Sequence, residues 1–195
     1  MRTLEIHRHT HRRIPQPHLS QIGVDLARRA GEGLGSFDRV MTSTMPRAFE
    51  TAIAMGRLVF SGMLEKYPNL KLITHHLGGI VPYHIERVTY FTQGAEMRFG
   101  IDMSPGAHVT KPYADYYRMF YGDTACYGAT STLMCGYNFF GAGHLLFATD
   151  APYDSMGGAR LVKETIRSVE EMNISAEEKK MIFEDNARAL FRLPI

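Results

Sequence analysis

Apolar residues along the chain fall into short runs that alternate with helical stripes. The run 70–76, with Leu70, Leu72 and Ile73, has strand length, and so does Leu145-Leu-Phe-Ala-Thr149. Each run stops at residues that can do chemistry, His75 and His76 in the first and Asp150 after the second. Each is followed by a turn signal, Gly78-Gly79 or Pro152. Further strands are predicted over 37–42, over 120–126, and over 3–9, where Leu4 and Ile6 alternate with polar neighbours.

Between these runs the period changes to that of a helix. Ser20 caps a helix over 21–33 that carries Ile22, Leu26 and Ala30. Pro46 stands in the first turn of a second helix, whose stripe of Ala48, Ala52 and Met55 runs on through Leu58, Val59, Met63 and Leu64. Helices follow over 82–93, 113–119, 131–139 and 159–171. The last begins at Ser175, where Glu178 completes a capping box, and runs to about Phe191. Residues 100–112 turn to Pro, Gly, Ser and His and read as an irregular loop. Strand alternating with helix predicts an α/β protein of about five parallel βα units, with helices covering the sheet.

Composition narrows the function classes. A chain of 195 residues with 45% apolar content can bury a core, yet it is short of the roughly 250 residues of a complete β/α barrel. The formal charge of +2, with Lys and Arg scattered, points away from nucleic acid. Cys126 and Cys135 form no CxxC and read as reduced thiols. The N-terminus alternates His and Arg, and no apolar run reaches about 18 residues. The expectation is a soluble, cytoplasmic protein with no membrane partner.

In parallel β/α proteins the loops after the strands build the site, so His76 and Asp150 are the leading candidates. An imidazole beside a carboxylate is the minimum of a metal-assisted acid–base site. Strand neighbours face opposite ways, which predicts that His75 packs away from it. His9 and His11 have the His-x-His spacing of metal ligands. Asp123 ends a strand on the presumed active face and would bond loop amides or touch substrate. His84, His108 and His144 read as surface residues, and Phe139-Phe140 and Tyr116-Tyr117 as core.

Several motifs carry a family resemblance: Ser61-Gly-Met-Leu-Glu-Lys-Tyr-Pro-Asn-Leu-Lys71, Thr74-His-His-Leu-Gly-Gly-Ile-Val-Pro82, Glu86-Arg87, Tyr121-Gly-Asp-Thr-Ala125, Gly141-Ala-Gly-His-Leu-Leu-Phe-Ala-Thr-Asp-Ala-Pro152 and Asn186-Ala-Arg-Ala-Leu-Phe191. In this order they resemble the C-terminal part of the amidohydrolase-related family of metal-dependent decarboxylases and hydrolases. The resemblance spans residues 57–195 and implies part of a TIM barrel. It implies His76 as the acid–base residue of strand six and Asp150 as the strand-eight ligand of a divalent metal, zinc first. It also implies a small aromatic or unsaturated carboxylic acid as substrate. The family site takes a His-x-His from strand one, which His9 and His11 would supply, and a further histidine from strand five that the matched region lacks. Association into a homo-oligomer is left open.

Residues 1–56 instead resemble the start of the histidine phosphatase family, as a βαβα segment. The resemblance rests on Arg8-His9, on Leu19-Ser-Gln-Ile-Gly-Val-Asp-Leu-Ala-Arg28 and on Phe37-Asp-Arg-Val-Met-Thr-Ser-Thr-Met-Pro-Arg-Ala-Phe-Glu-Thr-Ala52. It implies a second chemistry, phosphate-ester transfer at His9 with Arg8 and Arg47 cradling the phosphate. A third reading is an inactive fused fragment that acts through association at open sheet edges.

Overall fold

Among the described residues four strands lie side by side in sequence order, all parallel: β1 (Arg39–Met41), β2 (Lys71–Thr74), β3 (Tyr121–Asp123) and β4 (Leu145–Leu146). The computed structural model describes residues 39–41 and 48–193, all within one compact unit, Asp38–Ile195. The strand predicted over 3–9 and the helix over 21–33 lie outside the described residues. Helices α1 (Ala48–Phe60) and α2 (Met63–Lys66) join β1 to β2, and α3 (Val81–Phe99) and α4 (Tyr113–Tyr117) join β2 to β3. Helix α5 (Thr130–Phe140) leads to β4, followed by α6 (Ala159–Glu170), α7 (Ala176–Lys180), a π turn (Met181–Asp185) and α8 (Asn186–Phe191).

Alternation along β2 divides the core between the two faces of the sheet. Leu72 joins the larger cluster with Met55, Val59, Leu64, Leu77, Tyr116, Leu133 and Phe140. Ile73 faces the other way and packs with Leu146, Leu190, Tyr121 and Phe191. The predicted core residues Tyr116, Tyr117, Phe139 and Phe140 are all buried.

Several boundaries differ from the apolar pattern for physical reasons. The stripe 48–64 is broken at Gly62, which takes a left-handed φ of 69°. A Cβ there would stand 2.9 Å from that of Ala107, so the loop 100–112 packs where only glycine fits. Helix α3 runs well past 93, because its outer face carries large apolar residues that blur the amphipathic signal. It stops at Gly100, also left-handed, whose N–H donates to the Glu96 carbonyl while Ile101 N–H donates to that of Ala95. The capping box at Ser175 is present in both directions, Glu178 N–H to Ser175 Oγ and Ser175 N–H to Glu178 Oε2. Asn186 ties the last helix to β4 by donating from Nδ2 to the carbonyls of Ala142 (2.7 Å) and Leu145 (2.8 Å).

Candidate active site

Sheet register brings the first pair of site residues together. Thr74 is level with Gly122, so the next residues along, His75 and Asp123, are neighbours on one face, the face of Ile73 and Tyr121. His75 remains extended and its Nδ1 lies 2.8 Å from Asp123 Oδ2. This corrects the expectation that His75 packs away from the site. The alternation argument assumed an extended chain through His76, but the strand ends first.

His76 and Leu77 enter a tight turn with φ of 50° and 54°. Left-handed backbone in non-glycine residues costs about 1–3 kcal/mol each, so the surroundings must hold the turn in place. Asp123 does so from one side, its Oδ1 accepting the N–H groups of His76 (2.8 Å) and Ala125 (3.1 Å). Leu77 does so from the other: it is buried against α5 at Gly136, where an added Cβ would come within 2.7 Å of its methyl groups. His76 Nδ1 lies 2.6 Å from the Ala125 carbonyl oxygen. A carbonyl only accepts, so Nδ1 carries the hydrogen and Nε2 keeps its lone pair in the neutral ring.

Asp150 arrives beyond β4, again with positive φ (62°). The path to it is pinned by buried Thr124, whose Oγ1 donates to the Ala148 carbonyl (2.9 Å) and accepts from Ala148 N–H (3.0 Å). Tyr127 joins the two predicted residues: its ring stacks on His76 with centroids 6.2 Å apart, and its hydroxyl donates to Asp150 Oδ2 at 2.7 Å. His76 and Asp150 therefore do meet at one end of the sheet, with Asp123, His75 and Tyr127 added by the tertiary structure.

The electrostatics follow from these contacts. The hydrogen bond to Asp123 raises the His75 pKa above its ordinary value, against the opposing effect of burial, and the charges of Asp123 and Asp150 add to the rise. The bond to Asp150 likewise raises Tyr127. Cys126 is pushed up to about 12, mainly by burial, which makes it an unreactive thiol. His144, expected at the surface, is half-buried instead: it stacks on Tyr121 at 4.4 Å and its Nδ1 donates to the Phe120 carbonyl.

Among the described residues no three His, Cys, Asp or Glu side chains group around a cation site. Asp123 is committed to His75 and two amides, and Asp150 shares an oxygen with Tyr127. By themselves these residues do not make a metal centre. The predicted ligands His9 and His11, and the phosphate-binding candidates Arg8, His9 and Arg47, lie outside the described residues.

A parallel sheet with acid–base residues after its strands is shared by many enzymes, and comparison with known proteins narrows it. The model of the Amidohydrolase family matches residues 30–193. The chain belongs to the amidohydrolase family. Gamma-resorcylate decarboxylase of Polaromonas sp. (strain JS666) is 32% identical over 145 residues, 74% of this chain and 41% of that protein. The 6-methylsalicylic acid decarboxylase of Penicillium expansum is 34% identical over 110 residues, 55% of this chain and 32% of that one. The crystal structure of a dihydroxybenzoic acid decarboxylase from Polaromonas sp. JS666, with bound manganese and 2-nitroresorcinol, superposes with a TM-score of 0.61 at 30% identity. That alignment covers 76% of this chain and 41% of the solved chain. This amidohydrolase chain thus spans about two fifths of the length of such relatives.

The match also takes in residues 30–56, part of the stretch that resembles a histidine phosphatase. Strand β1 of that stretch is hydrogen-bonded beside β2 in the same parallel sheet. Strand β2 leads into His76, and the residues that follow β1 in the sequence, 42–47, include no histidine.

Proposed function

We propose that this chain carries the acid–base half of a decarboxylase site of the amidohydrolase type, acting on a small aromatic carboxylic acid. In this reading residues 57–195 form the C-terminal part of a TIM barrel. The observation that carries it is the convergence of His76 and Asp150, joined through Tyr127. The names of the relatives support an ortho-hydroxylated benzoic acid. An ortho hydroxyl feeds electrons into the ring, so the carbon bearing the carboxylate can accept a proton.

His76 is the proton carrier. As the imidazolium it transfers the proton from Nε2 to that ring carbon. The bond to the carboxylate then breaks, its electron pair restores the ring, and CO2 leaves. Neutral His76 takes a proton back from solvent, while the Nδ1–H bond to Ala125 keeps the ring in place throughout. Asp150 would hold a divalent cation, with His9 and His11 as the further donors, and the cation would supply charge stabilisation for the bound carboxylate. Hydrolysis by the same residues is the neighbouring reaction. Phosphate-ester chemistry at Arg8, His9 and Arg47 would be singled out by a phosphohistidine at His9.

The test is CO2 release from 2,6-dihydroxybenzoate and 6-methylsalicylate, with bound metal measured on protein purified without chelators. The expected result is turnover that falls about 100-fold or more in His76→Asn. A divalent ion lost in Asp150→Ala should accompany it. A folded sample with no metal and no turnover would sink the proposal.

A further inference from the structure

The end of the sheet opposite His76 and Asp150 holds a cavity of about 430 Å³ that the proposed reaction does not use. It opens where β2 and β3 begin. Lys71 and Tyr121 are the first residues of those strands, and both lie on the face of Ile73. The end of α8 forms the other wall with Ala189, Leu190 and Arg192. At about 3.3 Å per residue, Lys71 is roughly 13 Å along the strand from His75, so an occupant here leaves the candidate active site free.

The charge of this cavity is one-sided. Lys71 and Arg192 line it, and no carboxylate does. Nearby cations are neutralised, Lys180 by Glu184 and Asp185, and Arg188 by Glu184. Lys71 and Arg192 take part in none of the ion pairs among the described residues. The Tyr121 hydroxyl and the Asn69 amide, also at the cavity, have no hydrogen-bond partner among them either. Arg192 ends α8 with a left-handed φ of 52°, a position that suits glycine, so the backbone does not call for an arginine there. The wall behind these groups is fixed. The Tyr121 ring stacks on His144 at 4.4 Å, and Asn186 is already bonded to two carbonyls. A hollow of this size with one apolar wall and a few convergent donors has the make-up of a small-molecule site.

We propose that this cavity binds a small organic dianion, held by Lys71 and Arg192. Arg192 offers a planar fork to two oxygens and Lys71 a point charge, while Tyr121 and Asn69 add neutral donors. The carbon body of the ligand lies against the Tyr121 ring, Ala189 and Leu190. Two cations meet a double negative charge, so the filled cavity is close to neutral. A phosphate monoester and a dicarboxylate share this chemistry.

The experiment is isothermal titration calorimetry on the full chain in a phosphate-free buffer, with phenyl phosphate and succinate as probes. The expected result is one dianion per chain, and the probe that binds more tightly assigns the headgroup. Lys71→Met and Arg192→Gln should each weaken it about tenfold or more. Without ligand both should keep the wild-type thermal midpoint, because neither side chain is ion-paired. Arg47→Gln and Asp150→Ala should bind as wild type, which separates this cavity from the other candidate anion and cation sites. In the unsubstituted chain the better probe should shift the Tyr121 ring resonances by NMR, a readout independent of any variant and of CO2 release. Absence of heat with both probes at millimolar concentration would overturn the proposal. So would unmoved Tyr121 resonances, full affinity in both Lys71→Met and Arg192→Gln, or binding lost in Arg47→Gln or Asp150→Ala.

Discussion

Asp123 organises the site at the scale of single residues. It is buried, and it accepts from His75 and from the amides of His76 and Ala125. Asn at this position keeps the shape but sets an NH2 against donors, and a buried group left unsatisfied costs about 1–3 kcal/mol. Asp123→Asn should therefore destabilise the fold by roughly 2 kcal/mol in urea denaturation near pH 6. The pH dependence has a definite sign. His75 has a raised pKa in the folded chain, so the stability from its pairing is fully present below its ordinary 6.5 and is lost as pH rises through the raised value. Asp123→Asn removes the main cause of the rise, although Asp150 still faces the ring. The variant's stability should change less than wild type between pH 5.5 and 8.5, and the His75 ring proton should titrate lower by NMR. An unchanged slope would remove the pairing from the account. His76 and Asp150 were legible in the sequence because they end apolar runs. Tyr127 was not, since only the fold brings the loop after β3 against both.

At the scale of elements, the left-handed turn at His76 depends on helix α5. Leu77 fills the hollow over Gly136, and Gly122 and Phe140 close around it. Gly136→Ala should gain about 1 kcal/mol in helix propensity but overpack against Leu77, at a cost of roughly 1–3 kcal/mol. The net expectation is mild destabilisation with a displaced His76 ring, visible as a shifted imidazole resonance. A more stable variant with an unmoved ring would mean that Leu77 does not hold the turn. Ser175→Ala breaks the capping box and should cost about 1 kcal/mol, read as a lower urea midpoint. That cap was plain in the sequence because its residues are local. The length of α3 was not, because its exposed apolar face runs against the rule by which helices are recognised.

At the scale of the whole molecule, the described sheet has four parallel strands and the chain spans about two fifths of its relatives. No described helix is long and apolar enough to cross a membrane. The relative with 2-nitroresorcinol binds manganese, while the described residues here gather no three-ligand group. A cation that binds only the folded chain stabilises it by about 2.7 kcal/mol at 100 times its dissociation constant. Adding manganese should therefore raise the thermal midpoint of wild type and leave Asp150→Ala unchanged. Equal shifts in both would place the cation elsewhere than Asp150.

Local chemistry was enough to set out the alternation of strands and helices, the turn after each strand, and two of the residues that converge at the site. The motifs from Ser61 to Phe191 were enough to place the chain near its family. Periodicity and capping act over a few residues, so one sequence displays them. The tertiary structure alone decided that His75 sits with Asp123, that His76 leaves the strand alternation, and that Tyr127 links His76 to Asp150. These depend on the register of parallel strands and on close packing between segments far apart in the chain. No local pattern encodes such distances, because each is set by the whole sheet and the helices packed on it.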